Sequence, residues 1–315
     1  MTKLSRRSML QRSGMIAAAP LVTLPMACEA EESIQKKHQF SFCLNTSTIR
    51  GQKLKLTEEI KTAAEAGYDG VEIWMNKLNE HLESGGTTKE IKDLSSDLGI
   101  RIEDCISFPQ WIVDDEQKRT EAYDQARREM ELLAEVGCPR VAAPPAGATQ
   151  PPSLDLLEAA KRYRRLLEIG KETGVLPMLE LWGFSYNLHL FGEVMYVATE
   201  AAHPDSCILP DVYHIYRGGS DFESLRMLDP SAIHMFHMND YPASPSREEI
   251  KDSDRVFPGD GVAPLDKVIG LLQSKNKPIV LSLELFNLEY YKMKAIDAAK
   301  EGLEKMKAVV DKALG

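Results

Sequence analysis

The chain has 315 residues, 43% of them hydrophobic, which is enough to bury one large core without forcing two domains. Its formal net charge of -10 excludes a nucleic-acid backbone as the natural partner, because binding phosphates needs clustered Lys and Arg. A small neutral substrate stays open.

Residues 1–30 read as a twin-arginine export signal. Ser5-Arg6-Arg7-Ser8-Met9-Leu10-Gln11 carries the arginine pair, and an apolar stretch from Met15 to Ala27 follows it, landing on Glu29, Glu31 and Glu32. That stretch is too short and too rich in Ala and Pro for a stable membrane span, so membrane contact is expected only during export to the periplasm. Cys28 stands where a lipoprotein signal places its acylated Cys, although Pro25-Met26-Ala27 is a poor match to such a signal. Lipidation there would anchor the protein. Residues 31–38 read as a polar linker, and 39–315 as one folded domain. The Cys residues beyond the signal, Cys43, Cys105, Cys138 and Cys207, are far apart and lie in or beside apolar runs. They read as small buried hydrophobes rather than a metal or disulfide framework.

From Phe40 onward, short apolar runs alternate with helical patterns. The expected strands are Phe40–Asn45, Gly70–Met75, Ile100–Ser107, Arg140–Ala143, Leu176–Leu181, Ile208–Asp211, Ala232–Met238 and Pro278–Leu285. Between them, Thr57 is placed to cap a helix over 58–66 that Gly67 ends. Residues 114–136 have apolar positions at helical spacing, with Gly137 as the stop. Ser153 is placed to cap 154–173, and 293–314 closes the chain as a helix. Several strands begin just after a Gly, as αβ loops of a parallel barrel do. Eight units of about 30 residues each predict a (β/α)₈ barrel. An open doubly wound sheet is the alternative, but no Gly-rich phosphate loop follows the first strand.

Barrel active sites lie at the C-terminal ends of the strands. Run five delivers Glu180 in Leu179-Glu180-Leu181-Trp182, and run six delivers Asp211 in Pro210-Asp211-Val212. Run seven delivers His237 in Phe236-His237-Met238, and run eight Glu284 in Leu283-Glu284-Leu285. Three carboxylates and an imidazole converging in an apolar setting would be costly without a cation. The set predicts one divalent metal ion. Oxygen-rich ligation suits Mn²⁺ or Mg²⁺ best, with Co²⁺ and Zn²⁺ also acceptable.

These residues resemble the xylose isomerase-like barrel superfamily, the sugar phosphate isomerases/epimerases. The similarity runs over nearly all of the chain after the signal. It is carried by Glu180 in Leu-Glu-Leu-Trp, Asp211-x-x-His214 with Arg217-Gly218-Gly219 behind it, and His237-x-x-Asp240. It continues through Arg255-Val256-Phe257-Pro258-Gly259-Asp260-Gly261 to Glu284. The resemblance implies that Glu180, Asp211, His237 and Glu284 hold the metal and that His214 touches substrate. It also implies that the Pro-Gly-Asp-Gly loop closes the site. It further implies a sugar isomerase or epimerase, with Glu180 and Glu284 moving a proton on opposite faces of an enediolate.

Other expected contributors are Arg255 and Asn45 at the substrate, Asp240 orienting His237, and Glu72 and Glu103 at earlier strand ends. Trp74, Trp111, Trp182 and Phe108 are the expected apolar wall against a sugar face. Two positions depart from the ketose 3-epimerases of that superfamily. Tyr186 stands where they carry a further Glu, and the nearest Arg after the metal His is Arg247. With the export signal, this points to free or oxidised sugars released from glycans. A lyase or dehydratase on a keto-sugar or keto-glycoside would use the same site, and a metal-stabilised sugar-binding protein without turnover is a third reading. A DNA-repair endonuclease of this fold would need further His ligands after the early strands, which are absent. The sequence leaves a homo-oligomer open.

Overall fold

The computed structural model describes residues 39–315; the twin-arginine segment, Cys28 and the linker lie outside the described residues. Strand β1 (Phe40–Asn45) leads through a 3₁₀ turn at Thr46–Gln52 into α1 (Leu56–Ala66). Next come β2 (Gly70–Trp74), α2 (Met75–Glu83), α3 (Thr88–Asp97), β3 (Arg101–Ile106), α4 (Glu116–Val136), β4 (Arg140–Ala143) and α5 (Leu156–Thr173). The second half comprises β5 (Leu176–Glu180), α6 (Phe191–Glu200), β6 (Ile208–Leu209), α7 (Val212–Gly218) and β7 (Met235–Met238). It ends with α8 (Leu265–Gln273), β8 (Ile279–Leu283) and α9 (Ala295–Leu314). All the strand pairs are parallel. One set runs β3-β2-β1-β8-β7 and the other β4-β5-β6. Single parallel bridges Ile208–Ile233 and Asp211–His237 join the β6 side to the β7 side, and β3 lies beside β4, which completes the TIM barrel.

The element boundaries show what decides them. Strand β6 is shorter than its apolar run because Pro210 has no N–H to give a ladder, leaving Asp211 as an isolated bridge partner. Helix α5 is capped by Asp155 rather than Ser153, because the Asp155 carboxylate accepts from the N–H groups of Leu157 (2.8 Å) and Glu158 (3.2 Å). Thr57 lies inside the first turn of α1, whose entry is closed by the Lys55 N–H donating to Glu58 Oε2 at 2.8 Å. The helix stops hold: Gly67, Gly137 and Gly174 have φ of 91°, 82° and 79°, a region that costs other residues a Cβ clash.

Two apolar clusters form the core. The larger lies between strands and helices. The smaller fills the barrel with Cys43, Ile106, Ala142, Met178, Cys207, Leu209, Met235 and Val280, one or two residues from most strands. Alternation along a strand puts i and i+2 on one face. The next inward positions after these fillers are therefore Asn45, Phe108, Glu180, Asp211, His237 and Ser282, with Glu284 one step further. The barrel's polar site is a continuation of its packed interior. Cys43, Cys105, Cys138 and Cys207 are all free and buried.

One acid outside the site makes stability depend on pH. Glu59 on α1 is 1% exposed. Burial, opposed by Lys77, raises its carboxyl from 4.5 to about 7. Between these values the folded chain holds a proton that the unfolded chain has released. This contribution is complete below the unfolded value and is lost as pH rises through about 7. Glu59→Gln cannot ionise. It is expected to match the parent near pH 4 and to exceed it by up to about 3 kcal/mol above pH 7. Urea unfolding at both pH values checks this; a difference that does not change with pH would contradict it.

Candidate active site

Glu180 ends β5, Asp211 follows β6 and opens α7, His237 lies in β7, and Glu284 follows β8. Each is 4% exposed or less. His237 Nδ1 lies 3.3 Å from Glu284 Oε2, 3.8 Å from Asp211 Oδ2 and 3.9 Å from Glu180 Oε1. The four expected ligands are thus brought to one point at the C-terminal mouth of the barrel.

The imidazole is aimed by Glu72 of β2, whose Oε1 is 3.0 Å from His237 Nε2, while Ser282 Oγ donates to the other Glu72 oxygen. A carboxylate behind the ring fixes its tautomer and leaves Nδ1 toward the cluster. Asp240, expected in that role, does something else. Its carboxylate accepts from the N–H groups of Tyr241 (2.8 Å), Gly259 (3.0 Å), Gly261 (3.1 Å) and Ala263 (2.9 Å). It therefore ties the Pro-Gly-Asp-Gly loop to β7. A Cβ on Gly261 would overlap this carboxylate, which is why the loop needs Gly there.

Arg255 enters from that loop and is fully buried. Its Nη1 donates to Glu284 Oε2 (2.9 Å) and Asp211 Oδ2 (3.1 Å), and its Nη2 donates to Asp252. The guanidinium also lies 4.3 Å from the centre of the Tyr213 ring. Nη2 is 3.1 Å from His214 Nε2, and the Gly183 N–H is 3.3 Å from His214 Nδ1. Two donors facing one ring exclude an imidazolium, and a neutral imidazole accepts from only one of them. Burial first, and Arg255 next, push the His214 pKa well below its usual value. Asn45 Nδ2 donates to Glu284 Oε1 at 3.2 Å, and Asn45 Oδ1 accepts from Trp74 Nε1 at 2.9 Å. Asn45 thus braces Glu284 from behind instead of lining the pocket.

Burial raises the Glu180 carboxyl to about 8 against the pull of His237, and raises Asp211 to about 6 against Arg255. Glu284 is held low despite burial, by His237 and Arg255. His237 is raised despite burial, by Glu72 and Glu284. Glu180 Oε2 and His237 Nδ1 are buried with no hydrogen-bond partner. An unpartnered imidazole nitrogen and carboxylate oxygen, beside two more carboxylates, fit a divalent cation that takes the place of the ring proton. Asp211, His237 and Glu284 place ligand atoms within 4.8 Å of one another.

The site opens into a hollow of 360 Å³ walled by Trp74, Ile106, Phe108, Trp182, Phe184 and Phe286, with Asp252, Ser253 and Arg255 to one side. Trp74, Phe108, Trp182 and Phe286 each stand two residues beyond an inward strand position, so the alternation that places the acids also builds the wall. Phe184, Phe286 and Asn239 escaped the sequence reading. Asn239 Nδ2 donates to Asp211 Oδ2 at 3.0 Å. The same period of two was the signal for Phe286.

Two expectations fail on position. Trp111 does not reach the hollow. It is fully buried against Tyr163, and its Nε1 donates to Pro144 O at 2.8 Å. Glu103 faces away from the barrel interior, paired with Arg101 and Arg140, because a register shift at Val71/Glu72 sets Asp104 opposite Glu72. Beside His214, Tyr213 donates to Ile250 O (3.2 Å) and Tyr216 stacks on Tyr241. Tyr186 is exposed, and Arg247 lies over the Tyr216 ring.

The sequence profile of the xylose isomerase-like TIM barrel family matches residues 60–309. An inosose isomerase of Halalkalibacterium halodurans is 28% identical over 277 residues, covering 86% of this chain and 96% of its own. A 3-dehydroshikimate dehydratase of Pseudomonas putida is 27% identical over 259 residues, 80% of this chain but 39% of its own. The solved structure of the IOLI protein with a bound zinc atom is 26% identical, with a TM-score of 0.79 over 87% of this chain and 99% of that one.

Proposed function

The chain belongs to the xylose isomerase-like TIM barrel family, and we propose that within it this protein is a divalent-metal-dependent isomerase or epimerase of a sugar-like carbonyl compound. The observation that carries this is the convergence of Glu180, Asp211 and Glu284 on the unpartnered His237 Nδ1 under an aromatic-walled hollow. Glu180, Asp211, His237 and Glu284 would hold the ion. When bound, the ion supplies Lewis-acid polarisation of a carbonyl and its neighbouring hydroxyl.

The rest is work for the side chains. Glu180 and Glu284 come from β5 and β8, on different sides of the barrel mouth, so they can address different faces of one substrate carbon pair. One removes the proton beside the carbonyl and the other returns a proton to the opposite face or the adjacent carbon. Neutral His214 and the Arg255 guanidinium are placed to hydrogen-bond the oxygen that gains charge. The aromatic wall excludes water and packs on the C–H face of the substrate.

The 3-dehydroshikimate dehydratase relatives favour a second reading, elimination. The same proton is removed, and a β-oxygen leaves in place of reprotonation. A panel of keto-sugars, inososes and keto-glycosides followed by NMR tests the proposal. Turnover should stop with a chelator and return with Mn²⁺, Co²⁺, Zn²⁺ or Mg²⁺. An epimer or positional isomer supports the first reading and an unsaturated product the second. Saturable sugar binding with neither exchange nor product would overturn both in favour of a binding protein.

A further inference from the structure

We propose that the metal-side hollow is one half of a two-compartment cleft, and that the other half binds a second, neutral, hydroxyl-bearing ring linked to the reacting sugar. This rests on the reading of the site as one that acts on a carbonyl sugar. The deep hollow is polar only at its floor and along Asp252, Ser253 and Arg255. Arg255 is already engaged by three carboxylates, and Trp74 Nε1 is spent on Asn45. The remaining walls are aromatic or aliphatic. Hydroxyls remote from the reacting carbons find partners there only on the side of Asp252 and Ser253, and a site selects a polyhydroxylated group by hydrogen-bonding it.

Those partners stand on the far side of the wall. A second hollow of 430 Å³ shares Trp74, Ile106 and Phe108 with the first and adds Arg50, Asn76, Asn79, Ser107, Gln125 and Glu129. Phe108 is 42% exposed and forms the rim between the two. Arg50 lies in the turn after β1, Asn76 and Asn79 on α2 after β2, and Ser107 directly after β3. The compartment is therefore on the strand-end face where barrels bind ligands.

Its chemistry is that of a neutral polyol site. Asn76 and Asn79, three apart on one helix face, make no side-chain hydrogen bond among the described residues, so two carboxamides are free to donate and accept. Gln125 Nε2 donates to Glu129 Oε1 at 2.9 Å, and Ser107 Oγ donates to Glu129 Oε2, which sets a rigid acceptor group. The Arg50 guanidinium carbon lies 3.7 Å from the centre of the Trp74 ring. One cation and one carboxylate leave the compartment without net charge, which favours a neutral ring over an anionic one.

The test compares a one-ring keto-sugar with a disaccharide or glycoside oxidised at the same carbon. In Asn76→Ala/Asn79→Ala, kcat/KM for the two-ring compound should fall about tenfold or more, and for the one-ring compound by less than about twofold. The unchanged one-ring rate also reports an intact fold. Equal losses for both compounds, or none for either, would overturn the second compartment. If no keto-sugar turns over, the functional reading fails separately, and calorimetry decides the compartment. Unoxidised trehalose, maltose or cellobiose should then bind at least about tenfold tighter than methyl glucoside, and only in the parent protein. Equal affinity, no binding of any of these, or a preference for an acidic sugar as the second ring would overturn the proposal.

Discussion

Glu180→Gln and Glu284→Gln should each lower kcat by roughly 10³-fold or more, with the fold intact. Gln keeps the shape and the hydrogen-bonding oxygen but cannot take a proton. The expectation follows from position. Both carboxylates end inward columns of the barrel, on β5 and just past β8, and both face His237 Nδ1. At position 284 the amide keeps one acceptor oxygen and turns an NH₂ toward the other donor, because Asn45 donates to Oε1 and Arg255 to Oε2, so the Tm of that variant is measured beside its rate. Bound metal is measured in each variant, since one ligand is weakened. Loss of activity at full metal occupancy assigns proton transfer. Wild-type rates in either variant would remove that carboxylate from the chemistry.

Arg255→Leu is expected to lose both stability and activity. The guanidinium is fully buried and is the hub for Asp211, Glu284 and Asp252. Removing one partner of a buried ionic cluster leaves uncompensated charge, typically about 3–5 kcal/mol, or roughly 6–20 °C in Tm for a domain of this size. A bound divalent cation offsets part of this, so the loss should be largest in chelator. kcat/KM should fall about 10²-fold or more, because His214 loses the guanidinium that faces its Nε2. A Tm within about 1 °C of the parent, with and without chelator, would contradict the view of Arg255 as a buried counter-charge.

Much of this site is legible in the sequence because a strand has a period of two. Met178 and Glu180, Leu209 and Asp211, and Met235 and His237 each pair a barrel filler with a site residue two positions on. Trp182 continues the first of these columns into the wall, and Trp74 and Phe286 continue those of β2 and β8. What could not be read comes from loops and from register. Asp240 keeps the same spacing whether it supports His237 or caps four loop N–H groups; only the path of 257–263 decides. Trp111 lies beyond β3 in a loop that turns back into the helix layer, where its indole meets Pro144 O. Glu103 and Asp104 exchange faces through the irregular pairing of β2 with β3. Asn45 and Glu72 sit behind the site, bracing Glu284 and His237, a role that depends on the pairing of β1 with β8 and of β7 with β8.

Solvent exchange tests the central claim most directly. The protein, loaded with Mn²⁺ or Zn²⁺, is incubated in D₂O with a carbonyl sugar that it converts, and the carbon beside the carbonyl is followed by NMR. Proton transfer by Glu180 and Glu284 predicts deuterium at that carbon in recovered substrate or product, and none with Glu180→Gln or Glu284→Gln at equal metal content. Product formed at the full rate with no deuterium at that carbon, or undiminished exchange in both variants, would contradict it.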